Sequence, residues 1–375
     1  MATRRTVIAW LGAASLGGCG AAGADPAAAW RSPGAAERDP RRWALAHAIL
    51  APNPHNRQPW LVDLPGSDEI VLHADLTRLL PATDPPNRQI TLGCGAFLEL
   101  LDLAARHGGR RAEVALWPDG EPQPRLDGRP VARVRLVADP GVARDPLFDQ
   151  ITARHTNRRP FDLDRPPTAG ELAKVVAAAG GPGLAASAVT DGTLRARLID
   201  VGWRGYDIEM RTEATHMESV RLMRIGRAEI AANPDGIPLS GPMIEAMKAA
   251  GLLTRESLAD PGSTASKSGF DMWEKMLRGT PAFFVLKSAD NGRAAQIAAG
   301  RAFARAHLAA TALGLSMHPW SMSLQEFPQM AGPYRETQAL LGASPDAPVQ
   351  MLVRVGRAKA AEPAPRWPLS THIRA

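Results

Sequence analysis

Aromatic residues make up only 5% of this 375-residue chain, cysteine occurs twice, and no run of five or more lysines and arginines is present. With so few aromatics, the core has to be built largely from aliphatic side chains. Two cysteines, Cys19 and Cys94, rule out a disulfide scaffold. The formal charge of +6 is spread over single and paired basic residues without interleaved aromatics, so there is no footprint for a nucleic-acid backbone. His-Glu-x-x-His, Gly-x-Ser-x-Gly, a Walker loop and a cysteine pair at ligand spacing are all missing, which sets aside zinc, serine-nucleophile and nucleoside-triphosphate chemistry and leaves no metal site to expect. What is there, 45% hydrophobic and 22% charged residues with 34 Gly and 33 Pro that follow no period, describes a folded chain of many short elements joined by turns.

The first 19 residues carry Arg4-Arg5, an apolar run from Val7 to Leu16, and Leu16-Gly17-Gly18-Cys19. That run falls short of the roughly 18–20 residues that cross a bilayer, so the segment reads as an export signal. The arginine pair resembles a twin-arginine signal, and the Leu-Gly-Gly-Cys box resembles that of bacterial lipoproteins, with Cys19 as the lipidated residue. A chain starting at Cys19 would carry about +4, lie in the periplasm or cell envelope, and touch the membrane only through its lipid. Residues 20–41, rich in Ala, Gly, Pro and charge, are expected to form a flexible tether.

Beyond the tether the pattern is α+β. Helices are expected over Arg42–Leu50, Thr91–His107, Asp145–Arg154, Ala169–Ala179, Asp191–His216, Glu218–Ala232 and Gly292–Leu313, and strands near Trp60–Leu64, Glu69–Ala74, Ala112–Trp117, Val131–Ala138, Ala282–Lys287 and Val349–Val355. Asn233–Gly269 is Gly-, Pro- and Ser-containing. Gly95, Leu103, Ala104, Ala105 and Gly109 recur 205 residues on as Gly300, Leu308, Ala309, Ala310 and Gly314, which suggests two related half-folds in tandem.

Two polar, proline-braced loops stand out. Ala51-Pro-Asn-Pro-His-Asn-Arg-Gln-Pro-Trp60 gathers amides that both donate and accept, suited to a planar heterocycle. Arg154-His-Thr-Asn-Arg-Arg-Pro-Phe161 gathers three guanidiniums and a hydroxyl, suited to a phosphate. Each could equally be a plain turn.

Together they resemble the flavin-binding elements of the nitroreductase-like family: Asn56, Gln58, Pro59 and Trp60 match an Asn-x-Gln-Pro-Trp segment, and Arg154, Thr156 and Arg158 match an Arg-Arg-Ser-x-Arg segment. Ala309–Leu315 is similar to the family's late helix and Gly-Leu turn, and Arg354–Arg357 with Pro365-Arg366-Trp367-Pro368 to its closing strand and phosphate-contacting arginine. The reversed order of the two loops on one chain resembles the Acg subfamily, a single-chain pseudo-dimer. The resemblance implies a nitroreductase-like fold with mixed or antiparallel sheets flanked by helices, divided into a truncated half (42–144) and a fuller half (145–370) with a lid at 233–269. It implies a monomer that binds FMN: Arg154, Thr156, Arg158 and Arg366 at the phosphate, Asn56 and Gln58 at polar groups of the ring and ribityl chain, Pro59 and Trp60 lining the site, and Ser316, Met317 and His318 at the ring edge. No side chain need act as acid or base, because the flavin carries the chemistry. The implied activity is an FMN-dependent oxidoreductase passing electrons to quinone-like or nitroaromatic acceptors from NAD(P)H, a quinol or a redox protein. The alternative is a lidded protein that sequesters FMN. His155 and Trp367 depart from the family pattern, and Arg57 or Arg159 is available to compensate.

Overall fold

The computed structural model describes residues 25–374, so Arg4-Arg5 and Cys19 lie outside it. Helix α1 (Pro40–Ala48) starts on Asp39, whose carboxylate caps the Arg41 N–H. It is followed by β1 (Trp60–Asp63), β2 (Glu69–Ala74), α2 (Arg88–His107), β3 (Arg110–Leu116) and β4 (Pro130–Ala138). Asp84 starts α2 by accepting from the N–H groups of Gln89 and Ile90. The four strands form an antiparallel sheet in the order β1-β2-β4-β3, and α1 and α2 complete an aliphatic core with Trp60 and Phe97.

The second half runs α3 (Ala169–Ala178), β5 (Leu184–Val189), α4 (Gly192–Arg211), α5 (Glu213–Leu222), β6 (Met223–Ile225), α6 (Gly226–Ala232), β7 (Ile237–Leu239), α7 (Pro242–Ala249), α8 (Arg255–Ala259), α9 (Thr264–Arg278), β8 (Ala282–Ser288), α10 (Arg293–Ala312), β9 (Ser316–Pro319), α11 (Ala331–Leu340) and β10 (Val349–Gly356). Its main sheet is again antiparallel, in the order β5-β8-β10-β9. Residues of α3 and α10 pack on one face, and residues of α4 and α9 on the other. Both faces are therefore dry, which explains why β10 is buried along its whole length and reads as a nearly continuous apolar run.

Both main sheets share one strand order, and α2 and α10 are each 20 residues long with starts 205 residues apart. These helices cross where Gly95 meets Gly300. A Cβ on Gly95 would lie 2.2 Å from the Ile297 carbonyl oxygen, and one on Gly300 would lie 2.0 Å from that of Leu92. Their first residues exchange halves. Arg88 donates to the Gln350 and Leu324 carbonyls, whereas Arg293 donates to those of Pro86 and Pro124. The internal repeat is thus a pair of halves related across the α2–α10 contact.

Several expected boundaries shift. The helix expected to end near Arg154 is one 3-10 turn, Pro146–Gln150, opened by the Asp145 cap. The break expected after His216 falls at Thr212, whose hydroxyl turns back onto the Ile208 carbonyl. The tether is not free from Asp25 onward: a 3-10 turn at Ala28–Trp30 buries Trp30 in the first core. Most of Asn233–Gly269 is helical. Among the described residues, no helix is long and apolar enough to cross a membrane.

Candidate functional site

Loop 53–58 carries three non-glycine residues in the left-handed region: His55 (φ 48°), Asn56 (φ 52°) and Gln58 (φ 52°). Such conformations cost on the order of 1–3 kcal/mol each and persist only where surrounding contacts enforce them. The contacts are visible. The Asn53 carboxamide accepts from the Gln58 N–H at 2.7 Å, and Gln58, fully buried, donates to the Pro234 carbonyl at 2.8 Å and accepts from the Trp367 N–H at 2.9 Å. Asn56 donates to the Pro365 carbonyl and accepts from the Arg366 guanidinium. Asn56 and Gln58 are therefore braces between chain segments, where free amides facing a ligand were expected. Trp60 and Pro59 are corrected as well. Trp60 is fully buried in the first core against Phe97 and His372, and Pro59 is buried beside it, so neither lines an open site.

Arg57 does not reinforce an anion site. Asp235, itself buried, accepts from Arg57 at 3.1 Å, Arg78 at 3.3 Å and Arg224 at 2.6 Å. This cluster, with the Gly236 N–H donating to the Asn56 carbonyl, clamps the start of the expected lid onto loop 53–58.

The basic residues assigned to one phosphate divide into two groups. Arg154 and Arg366, 1% and 5% exposed, donate to the backbone carbonyls of Ile49, Leu50 and Ala51 and face each other's charge. Among the described residues neither has a carboxylate partner, and the Arg154 Nε–H has no acceptor. Burial lowers their pKa values to about 10 and about 9, so both stay charged at neutral pH. His155 and His307 join this group. Burial and the Arg154 charge hold His155 at about 4 and His307 well below its ordinary value, and unpaired ring nitrogens are left on both. His155 thus adds no cation where the family pattern has an arginine.

Arg158, exposed and without a carboxylate partner, exerts its charge on His55 and His318 instead. Thr156 lies between the groups, bridged to Met317 as a short parallel pair. Met317 is a core residue whose carbonyl accepts from the Asn157 N–H, and the Ser316 hydroxyl accepts from the Asn157 carboxamide, so these two fix the 154–158 loop against β9. His318 is different. Arg354, also buried without a carboxylate, donates to its Nδ1 at 3.1 Å, and an arginine can only donate, so His318 is neutral with its proton on Nε2. Next to loop 53–58, the Ser219 hydroxyl lies 3.4 Å from His55 Nε2 and 3.5 Å from Glu209, a buried carboxyl that burial raises to about 7. Among the described residues no three His, Cys, Asp or Glu side chains converge as a metal site.

Sequence reasoning missed Trp30, His307 and Glu209, and placed Arg354 on the closing strand without its bond to His318. A tryptophan within an Ala/Gly/Pro segment, and an arginine on an otherwise apolar strand, were the available signals.

The model of the Nitroreductase family matches residues 151–357, more than half of the chain. The protein acg of Mycobacterium tuberculosis, named by inference as an NAD(P)H nitroreductase, is 32% identical over 118 residues, 32% of this chain and 34% of its own length. A second protein of that organism, Rv3131, named in the same way, is 33% identical over 139 residues, 37% of this chain and 38% of its own. The matched stretch thus spans little more than a third of these relatives. Among solved structures, the FMN-dependent nitroreductase NfnB of Mycobacterium smegmatis in complex with NADPH is 19% identical with a TM-score of 0.37, covering 60% of this chain and 96% of that one. A nitroreductase with bound FMN from Bacteroides fragilis is 14% identical with a TM-score of 0.33, covering 58% and 91%.

Proposed function

Because the chain belongs to the nitroreductase family, we propose that it binds FMN across the two basic groups and works as an FMN-dependent oxidoreductase. The observation that carries this reading is the pair Arg154 and Arg366, two buried guanidiniums with no carboxylate partner among the described residues: Arg366 spends its five N–H groups on protein acceptors and adds charge, Arg154 keeps an unused Nε–H, and their paired charge calls for an anion from outside the protein. A phosphate monoester would suit that charge, with Arg154 and the Thr156 hydroxyl as the donors and Arg366 as a fixed positive charge behind them. Arg158 and the Nε2–H of His318 suit the polar edge of the ring, where negative charge grows on reduction. Bound FMN would supply the redox chemistry, taking electrons from a donor and handing them to an acceptor. The chain's part is to hold the phosphate, keep His318 a neutral donor through Arg354, and place a fixed cation at Arg158.

Quinone-like or nitroaromatic compounds are the proposed acceptors, and NAD(P)H, a quinol or a redox protein the donor. The proposed units are an exported protein lipidated at Cys19, a half at 42–144 and a fuller half at 145–370, present as a monomer. A second reading, FMN sequestration, draws on the clamp from Asp235 and Pro234, which ties the 233–239 segment across loop 53–58. An absorbance spectrum of purified protein, then anaerobic titration with NADPH and with a quinol analogue, separates the readings. Stoichiometric FMN that bleaches with either donor supports the oxidoreductase, FMN that bleaches with neither supports sequestration, and failure to bind FMN on reconstitution removes both.

A further inference from the structure

Residues 25–36 pack over the Arg154 and Arg366 pair. The Arg366 backbone N–H donates to the Pro26 carbonyl at 2.8 Å, and the Trp30 side-chain Nε1–H donates to the Ala364 carbonyl at 2.7 Å, so two hydrogen bonds tie this segment to the chain around Arg366. Trp30 is 5% exposed. Its ring centroid lies 5.6 Å from the Arg154 guanidinium carbon and 5.1 Å from that of Arg366, with the His155 ring edge-on at 4.7 Å. One aromatic ring thus meets both cations. Beside it, a cavity of 500 Å³ lies between this segment and Ile49, Pro234, Arg366 and Leu369.

Two like charges held side by side repel unless something fixes them. The carbonyls of residues 49–51 hold the guanidinium edges, and the π-face of Trp30 holds what those carbonyls leave free. We infer that segment 25–36 is a strap forming the outer wall of the anion end of the site, with Trp30 positioning Arg154 and Arg366 for a phosphate monoester. The inference rests on the flavin reading above and deepens it: a terminal phosphate held by Arg154 would lie against the strap, whereas a ligand carrying a further group on that phosphate would have to displace it. The cofactor's phosphate leaves only when the strap lifts.

Riboflavin has the ring and ribityl chain of FMN without the phosphate, so comparing the two isolates the phosphate end. The affinities of the full-length protein for both flavins are measured by fluorescence titration, alongside Trp30→Ala and Trp30→Phe. The expected result is that Trp30→Ala weakens FMN about tenfold, leaves riboflavin unchanged, and is largely rescued by Trp30→Phe. Equal weakening of both flavins would reduce Trp30 to a structural residue and overturn the inference, as would no change in either. Should Trp30→Ala fail to fold, trypsin cleavage of the unmutated protein after Arg31 gives an independent reading. Protection by FMN but not by riboflavin supports the strap, and equal protection by both overturns it. An unmutated protein that binds neither flavin would instead bring down the functional reading itself.

Discussion

Glu209 is a buried carboxyl whose pKa rises from 4.5 to about 7, mainly because burial disfavours its charged form. The folded state therefore binds a proton that the unfolded chain gives up at lower pH, and Glu209 withdraws stability as pH rises from about 4.5 to 7, with the full loss present above that. Glu209→Gln, uncharged throughout, should remove this slope and raise unfolding stability at pH 8 by up to about 3 kcal/mol, measured by urea denaturation at pH 5 and pH 8. At the same scale, Arg154→Met should weaken FMN far more than riboflavin, while Arg158→Met should weaken both, if the two arginines serve opposite ends of the ligand. The sequence showed which residue types gather in loops 51–60 and 154–161, and the structure keeps both loops together. It did not show whose hydrogen bonds each side chain satisfies. Asn56 and Gln58 have the chemistry to bind a heterocycle but spend it on Pro234, Pro365, Arg366 and Trp367, because strained backbone at φ near 50° needs that bracing.

The crossing of α2 and α10 is the element-level feature most exposed to test. At Gly95 and Gly300 each helix meets the partner's backbone oxygen, which cannot rotate out of the way as a side chain could. Gly95→Ala or Gly300→Ala should force the helices apart and cost about 3 kcal/mol or more, read as a drop in melting temperature, while Gly109→Ala, which meets no atom within 4 Å, should be limited to the strain of its φ of 69°. The long elements and the 205-residue repeat were legible because α2 and α10 bury most of their side chains in a repeating pattern. The short or atypical elements were not, β5, β9 and α9 among them. Strand β5, Leu-Ala-Ala-Ser-Ala-Val, has small residues that carry little alternation, β9 is four residues ending in proline, and α9 displays its polar face within a stretch that reads as coil.

Over the whole molecule, buried histidines govern the acid side. Burial holds His55, His155 and His372 at about 4, against an ordinary value near 6.5, and holds His307 and His318 well below that ordinary value. Each binds a proton more readily unfolded, so stability should fall steadily as pH drops from 6.5 to 4, with net proton uptake on unfolding that calorimetry in buffers of different ionisation enthalpy can count. Sorting is testable at this scale too: Cys19→Ala should release the protein from membranes, and retention would refute lipidation there. Five residues separate Cys19 from the strap at Asp25, a reach of about 20 Å at most, so a lipid on Cys19 would keep the anion end of the site close to the bilayer. A last consequence lies in the bond from Arg154 to the Leu50 carbonyl and the bonds joining Arg366 to loop 53–58. Where two separate chains must meet to complete a site, mass action empties it on dilution. Here a single covalent chain supplies both walls, so the bound fraction at a fixed free-flavin concentration should be the same at nanomolar as at micromolar protein.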